Sequence, residues 1–192
     1  MKLIYVITKI LTFPGALTKA FFEQIMCRIF KCPVEDNRYL RTDEMCGHVD
    51  HELIERPVAS YMFCLIPGLL NFLLAQMLCL FPFINIGILG NYTGFISSSA
   101  LSAFITEEAM IKTLDFILPF FFAWVCISLL TNIFPLFEDA IVMKEQYKNL
   151  KGVLKVIFFP GYIVMRIGAV LEKYGITFIL LIAATFVIAI VN

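Results

Sequence analysis

The side chains of this sequence best suited to chemistry are few and sit in three places. Lys19 and Glu23 stand one helical turn apart, at i and i+4, inside an otherwise apolar stretch. Both histidines fall within Cys46-Gly47-His48-Val49-Asp50-His51, and Glu138 and Asp139 follow Pro135 at the end of a later apolar run. Imidazoles and carboxylates are proton-transfer groups and ligands for a borderline metal ion. Each group also has a plainer role. A Lys–Glu pair among apolar residues is expected to be an ion pair, because intramembrane charge is costly unless paired. The histidines suit the surface of a polar hairpin, and carboxylates just after a Pro suit the first turn of the next helix. On a strand, residues three apart point to opposite faces, so His48 and His51 could share one ion only across a turn at Asp50.

The elements that must position these groups are membrane segments. Of the 192 residues 60% are apolar and 16% charged, and the mean hydropathy is +0.88. Soluble domains run at about 45–50% and about 25%, so a soluble globular domain is excluded, as are disorder and collagen-like repeats. Fifteen basic and fifteen acidic residues leave no basic footprint, so no nucleic-acid partner is expected. The length suits a single integral membrane domain over 1–192, with membrane lipid as its surroundings. No secretory signal is expected, since the first apolar stretch runs past Phe13-Pro14-Gly15 without a small-residue cleavage site.

A bilayer crossing needs about 20 predominantly apolar residues. Nothing between Arg56 and Glu107 is charged, which predicts a spanning helix over 58–83, then a short apolar segment and a polar loop. Further spanning helices are predicted at 113–134 and 174–191. Residues 1–30 read as a broken N-terminal membrane helix, split at Pro14-Gly15. Residues 138–170 read as interfacial or re-entrant helices, because the apolar part carries Lys155 and Arg166 and is interrupted by Pro160-Gly161. Loop charges orient the chain. Residues 84–112 hold only Lys112, whereas 31–57 and 138–173 are rich in Lys and Arg, which predicts that the latter two are cytoplasmic. Cys27, Cys32 and Cys46 then lie near a reducing face, where no disulfide framework is expected. The fold class is an all-α polytopic membrane protein with a small polar cytoplasmic segment at 31–57 able to form a β-hairpin.

Three patterns, in chain order, resemble those of small bacterial membrane proteins related to the site-2-type intramembrane zinc metalloproteases. In that family a Phe-Pro-Gly turn leads into a membrane helix bearing H-E-x-x-H, followed shortly by a Cys. Here Phe13-Pro14-Gly15 leads into Lys19-Ala20-Phe21-Phe22-Glu23, with Cys27 beyond. Lys19 and Glu23 stand at the two His positions and Ala20 at the catalytic Glu position. The segment Cys46 to Glu52 is similar to the family's polar strand before the next helix, in which Pro67 and Asn71 match a Pro-x-x-x-Asn. Phe134-Pro135-Leu136-Phe137-Glu138-Asp139-Ala140 resembles the turn whose Asp is the third metal ligand.

What the resemblance implies is a protease frame without protease chemistry. Zinc catalysis needs about three protein ligands, an open position for water and a base. An ammonium at 19 and a methyl at 20 supply neither ligand nor base, so no catalytic residue is assigned and no cofactor is expected. The expected function is binding of a peptide or membrane-protein partner in a multi-pass protein of the bacterial cytoplasmic membrane. Two other classes stay open. An active zinc metallopeptidase with rearranged ligands would draw on Glu23, His48, His51 and Asp139. A structural or transport-associated membrane protein would bring none of these residues together.

Overall fold

The computed structural model describes residues 2–36, 38–41, 46–83 and 121–191. Helix α1 (Lys2–Leu11) meets α2 (Phe13–Phe30) at a 94° bend, so the N-terminal apolar stretch is broken where its Pro-Gly predicts. Pro14 sits in the first turn of α2, where a missing N–H costs no intrahelical bond. Thr12 closes α1 instead: its backbone N–H and its hydroxyl both donate to the Thr8 carbonyl, at 2.9 and 2.8 Å. At the far end of α2, Lys31 adopts a left-handed conformation (φ 55°), and the Cys32 N–H returns to the Cys27 carbonyl at 2.8 Å. That is a Schellman-type stop, which turns the chain sharply into the polar segment.

The polar segment contains a two-stranded antiparallel sheet, β1 (Val34–Asp36) with β2 (Asp50–His51), in register Val34 opposite His51. Arg38 reaches the Asp36 carboxylate at 2.6 Å, and Arg41 bridges Asp36 and Asp50 at 3.5 and 3.6 Å. The Arg38 hydrogen bonds hold the Asp36 carboxyl down at about 2. The Arg38 pair, with its guanidinium exposed, adds little stability, while Arg41, largely covered, ties the two strands together.

Helix α3 (Pro57–Phe83) follows, and its first 22 residues are long and apolar enough to cross a membrane. After it come the described part of α4 (Phe121–Thr131), α5 (Phe137–Lys148), α6 (Val153–Lys173) and α7 (Ile176–Val191). Helix α6 differs from the expected interrupted element. It is one continuous 21-residue helix that runs through Pro160 and is itself a candidate span. Gly161 explains part of the tolerance: a Cβ there would stand 1.9 Å from the Tyr61 hydroxyl oxygen, so the Pro-Gly step lets α3 and α6 approach closely. Lys155 lies over the Tyr147 ring and Arg166 beside the Tyr162 hydroxyl, which accounts for both charges on an apolar helix. Val153, Val156, Ile157, Val164 and Ile167 of α6 are exposed, as suits a lipid-facing surface.

Two helices, or three with the bent α1–α2 pair counted as one, thus have the length and composition of membrane spans among the described residues. Helix α7 carries no charge, its only polar side chains being Thr177 and Thr185, and its 16 residues reach about 24 Å at 1.5 Å per residue. The 84–112 loop and the first part of the 113–134 helix lie outside the described residues.

Glycines let the helices interlock. A Cβ at Gly15 would fall 2.0 Å from the Ser128 carbonyl oxygen, and one at Gly68 1.7 Å from that of Ile133. The Gly15 N–H donates to the Ser128 hydroxyl at 2.7 Å, and the buried Asn71 amide donates to the carbonyls of Gly15 and Asn132, at 2.9 and 3.2 Å. Residues quoted above for their resemblance to a protease frame, Gly15 and Asn71, therefore meet in one buried seam joining α2, α3 and the end of α4.

Candidate functional site: a buried ion network beside an acidic cavity

The sequence-singled residues divide into two places. The first is a closed ion network in the core. Lys19 and Glu23 come from the buried face of α2, Lys9 from α1, His48 from the polar segment, Asn132 from the turn after α4, and Glu172 from the last turn of α6. All are at most 5% exposed. Glu23 receives the His48 ring at Nδ1, 2.9 Å away, on one oxygen and the Val49 N–H, 3.1 Å away, on the other. Lys19 donates to the Phe134 carbonyl and lies 3.9 Å from Glu23 and 3.6 Å from Glu172. Lys9 pairs with Glu172 and donates to the Asn132 Oδ1 at 2.6 Å. The second nitrogen of His48, Nε2, stands 3.7 Å from Glu172.

The charged side chains balance: two lysines stand against two glutamates, with the His48 ring between the carboxylates. Inside a dry core that balance is what makes the cluster tolerable, because an unpaired buried charge costs several kcal/mol. Lys19 and Glu23 do pair, as their spacing predicts, yet the tighter partner of Glu23 is His48. Lys9, Asn132 and Glu172 are the members that sequence reasoning missed. The signal for Glu172 was present: Met165, Gly168, Ala169 and Glu172 are buried at i, i+3, i+4 and i+7, so the carboxylate continues the inward stripe of α6.

A zinc ion does not fit this donor set. Both Glu23 oxygens are engaged, two ammoniums stand where a dication would be repelled, and Ala20 supplies no base. Of the residues a rearranged site would draw on, Glu23 and His48 meet in the network, while His51 and Asp139 meet elsewhere. Among the described residues no group of three or more His, Cys, Asp or Glu side chains is arranged to hold a metal ion.

The second place is a cavity of about 300 Å³ between β2, the start of α3 and the start of α5. Ile54, Phe63 and Val142 give it apolar walls, and Glu138, Asp139 and His51 its polar end. Helix α5 begins at Phe137, so both carboxylates fall in its first turn, where they complement the helix dipole as expected. The His51 ring packs edge-on against Phe63, with centroids 4.4 Å apart, and its Nδ1 lies 2.7 Å from the Glu52 carbonyl. Since a carbonyl only accepts, Nδ1 carries the proton and donates. His51 Nε2 then faces the Asp139 Oδ1 across 3.6 Å. His48 and His51 thus have different partners, although only His51 belongs to β2 and His48 lies in the bend before it.

Burial pushes the Asp139 carboxyl up to about 6 from 3.8, against the opposing pull of His51. A carboxyl raised on folding favours the protonated native state. Its contribution to stability is therefore whole below pH 3.8 and is lost as the pH rises toward about 6. Unfolding free energy measured in detergent should fall across that window, and Asp139→Asn should flatten the fall.

Comparison of the chain with family models, with curated proteins and with solved structures returns no match.

Proposed function

We propose that the chain is a multi-pass protein of the bacterial cytoplasmic membrane with a metalloprotease-like frame, which binds a peptide or membrane-protein segment in the cavity beside β2 without cleaving it. The observation that carries this reading is the fate of the motif positions. Where a protease of the resembled family needs two imidazoles and a base, Lys19 and Glu23 are tied into a buried ion network and Ala20 offers only a buried methyl. An ammonium at the first ligand position and a methyl at the base position give a zinc-bound water neither its full ligand set nor its base. The cavity, with apolar walls and a polar end, keeps the composition expected of a binding site.

The test is made on the full chain reconstituted in lipid. Metal analysis should give well under one zinc per chain, no cleavage of a membrane-anchored peptide library should be seen, and a photo-crosslinker at Val142 should capture peptides from that library. One equivalent of zinc together with cleavage that Asp139→Ala abolishes would establish the metallopeptidase instead. No capture at Val142, with capture elsewhere or nowhere, would leave a structural role.

A further inference from the structure

The end of the hairpin formed by α5 and α6 lies apart from the network and the cavity, and it combines unpaired positive charge with exposed apolar surface. Between Ile141 and Phe159 four lysines, Lys144, Lys148, Lys151 and Lys155, stand against a single carboxylate, Glu145. Glu145 serves Lys148, at 2.9 Å. Among the described residues no carboxylate lies within ion-pair distance of the other three. Lys148, Lys151 and Lys155 are exposed, and set among them are Val153, Val156 and Ile157, at 73, 73 and 62% exposure.

Lys155 is held in place rather than left free. The buried Tyr147 donates its hydroxyl proton to the Lys155 carbonyl at 2.7 Å, and its ring lies 5.9 Å from the Lys155 ammonium. That ring stacks in turn on Tyr162, with centroids 4.3 Å apart and planes within 7°. The stem is thus set beside an aromatic surface while the ammonium keeps its N–H donors for another partner. Tyrosines beside lysines at the end of an apolar helix are also what the boundary between a bilayer and water selects.

The two properties together decide the occupant. A polyanion dissolved in water would take up the ammoniums and leave the valines exposed, and a zwitterionic bilayer would cover the valines and leave the ammoniums without net counter-charge. An anionic phospholipid meets both demands, with phosphodiester for the lysines and acyl chain for the apolar side chains. Helix α6 has the length and composition of a span and begins at Val153, so Lys148 and Lys151 stand just outside its end. We infer that the end of the α5–α6 hairpin is a binding surface for anionic phospholipid, with Lys151 and Lys155 on headgroup phosphates and Val153 and Val156 in the acyl boundary.

The test uses the full chain in nanodiscs made from a one-to-one mixture of phosphatidylcholine and phosphatidylglycerol, one or the other carrying brominated chains, which quench tryptophan on contact. Val153→Trp in a Trp124→Phe background reports the hairpin end. The chain's single native tryptophan, Trp124, packed on Phe13 and donating to the Leu11 carbonyl, reports a different surface in the unsubstituted protein. Brominated phosphatidylglycerol should quench the hairpin reporter about fivefold more strongly than brominated phosphatidylcholine, and Trp124 should show no such preference. Lys151→Gln with Lys155→Gln should bring the ratio close to one, Lys151→Arg with Lys155→Arg should keep it, and added salt should weaken it. An unchanged melting temperature shows that each variant keeps the fold. Equal quenching by the two lipids, or a preference that survives the glutamine pair, would overturn the anionic site. So would the same preference at Trp124, which would make it a property of the whole boundary. No quenching by either lipid would place the hairpin end in water and overturn the inference in favour of an acidic protein partner.

Discussion

Replacing Glu172 with Gln is expected to cost about 3–5 kcal/mol of stability, the largest loss of any single substitution considered for this protein. Among the described residues Glu172 is the only carboxylate within ion-pair distance of both buried lysines: it pairs with Lys9 and lies 3.6 Å from Lys19. The amide would leave Lys9 with the neutral Asn132 Oδ1 and the face of the Tyr5 ring, 5.3 Å away, as its remaining partners. One net positive charge would then sit in a site that excludes water. The control is Lys9→Met with Glu172→Leu. Removing a buried pair together restores neutrality and spares the desolvation cost, so the double variant should lose much less than Glu172→Gln alone. Thermal unfolding in detergent, or unfolding by graded denaturant, reads both. Equal losses in the single and double variants would mean that the contacts of the two stems, and not the ion pairing, hold α1 to α6.

The second large effect belongs to the interlocked backbones. Gly15→Ala and Gly68→Ala each put a methyl into a carbonyl oxygen of another segment, at 2.0 and 1.7 Å. Backbone on the receiving side cannot rotate away, so the helices must separate, at a cost of about 3 kcal/mol each. At Gly15 the cost is compounded, because the same shift stretches the Gly15–Ser128 and Asn71–Gly15 hydrogen bonds. Gly152→Ala serves as the contrast: that glycine has open space around it but a φ of 62° with ψ −143°, a conformation nearly confined to glycine, so its loss should be confined to backbone strain of about 1–3 kcal/mol and be smaller. Ranking the three by melting temperature checks the account. A Gly152 variant as unstable as the other two would refute it.

How much of this could be read from the sequence depends on the distance over which each contact acts. The Lys19–Glu23 pair was legible because a helix brings i and i+4 together whatever surrounds it. The bend before Pro14 was legible for the same reason: it follows from local backbone geometry. The Lys9–Glu172 contact was not, since 163 residues separate its partners and no local rule connects them. Helix α6 was misread at Pro160-Gly161, because the local rule that proline ends a helix was outweighed by packing. The hydroxyl of Tyr61 needs the space that Gly161 leaves, and a helix continuous through that point supplies it. His51 and Asp139 were singled out as possible ligands, yet their face-to-face arrangement depends on which ring nitrogen meets the Glu52 carbonyl, and no spacing reveals that.

The long reach of the Lys9–Glu172 contact also bears on how the protein is made. Lys9 and Lys19 enter the membrane early in synthesis, whereas the carboxylate that balances them arrives only with the last turn of α6. Until then the α1–α2 pair carries an excess positive charge and cannot seat its bend against the rest of the domain. The core is therefore expected to close only after α6 has been made. A ribosome-stalled chain ending before Glu172 should accordingly keep Lys9 open to a water-soluble amine reagent, and one extending past α6 should not.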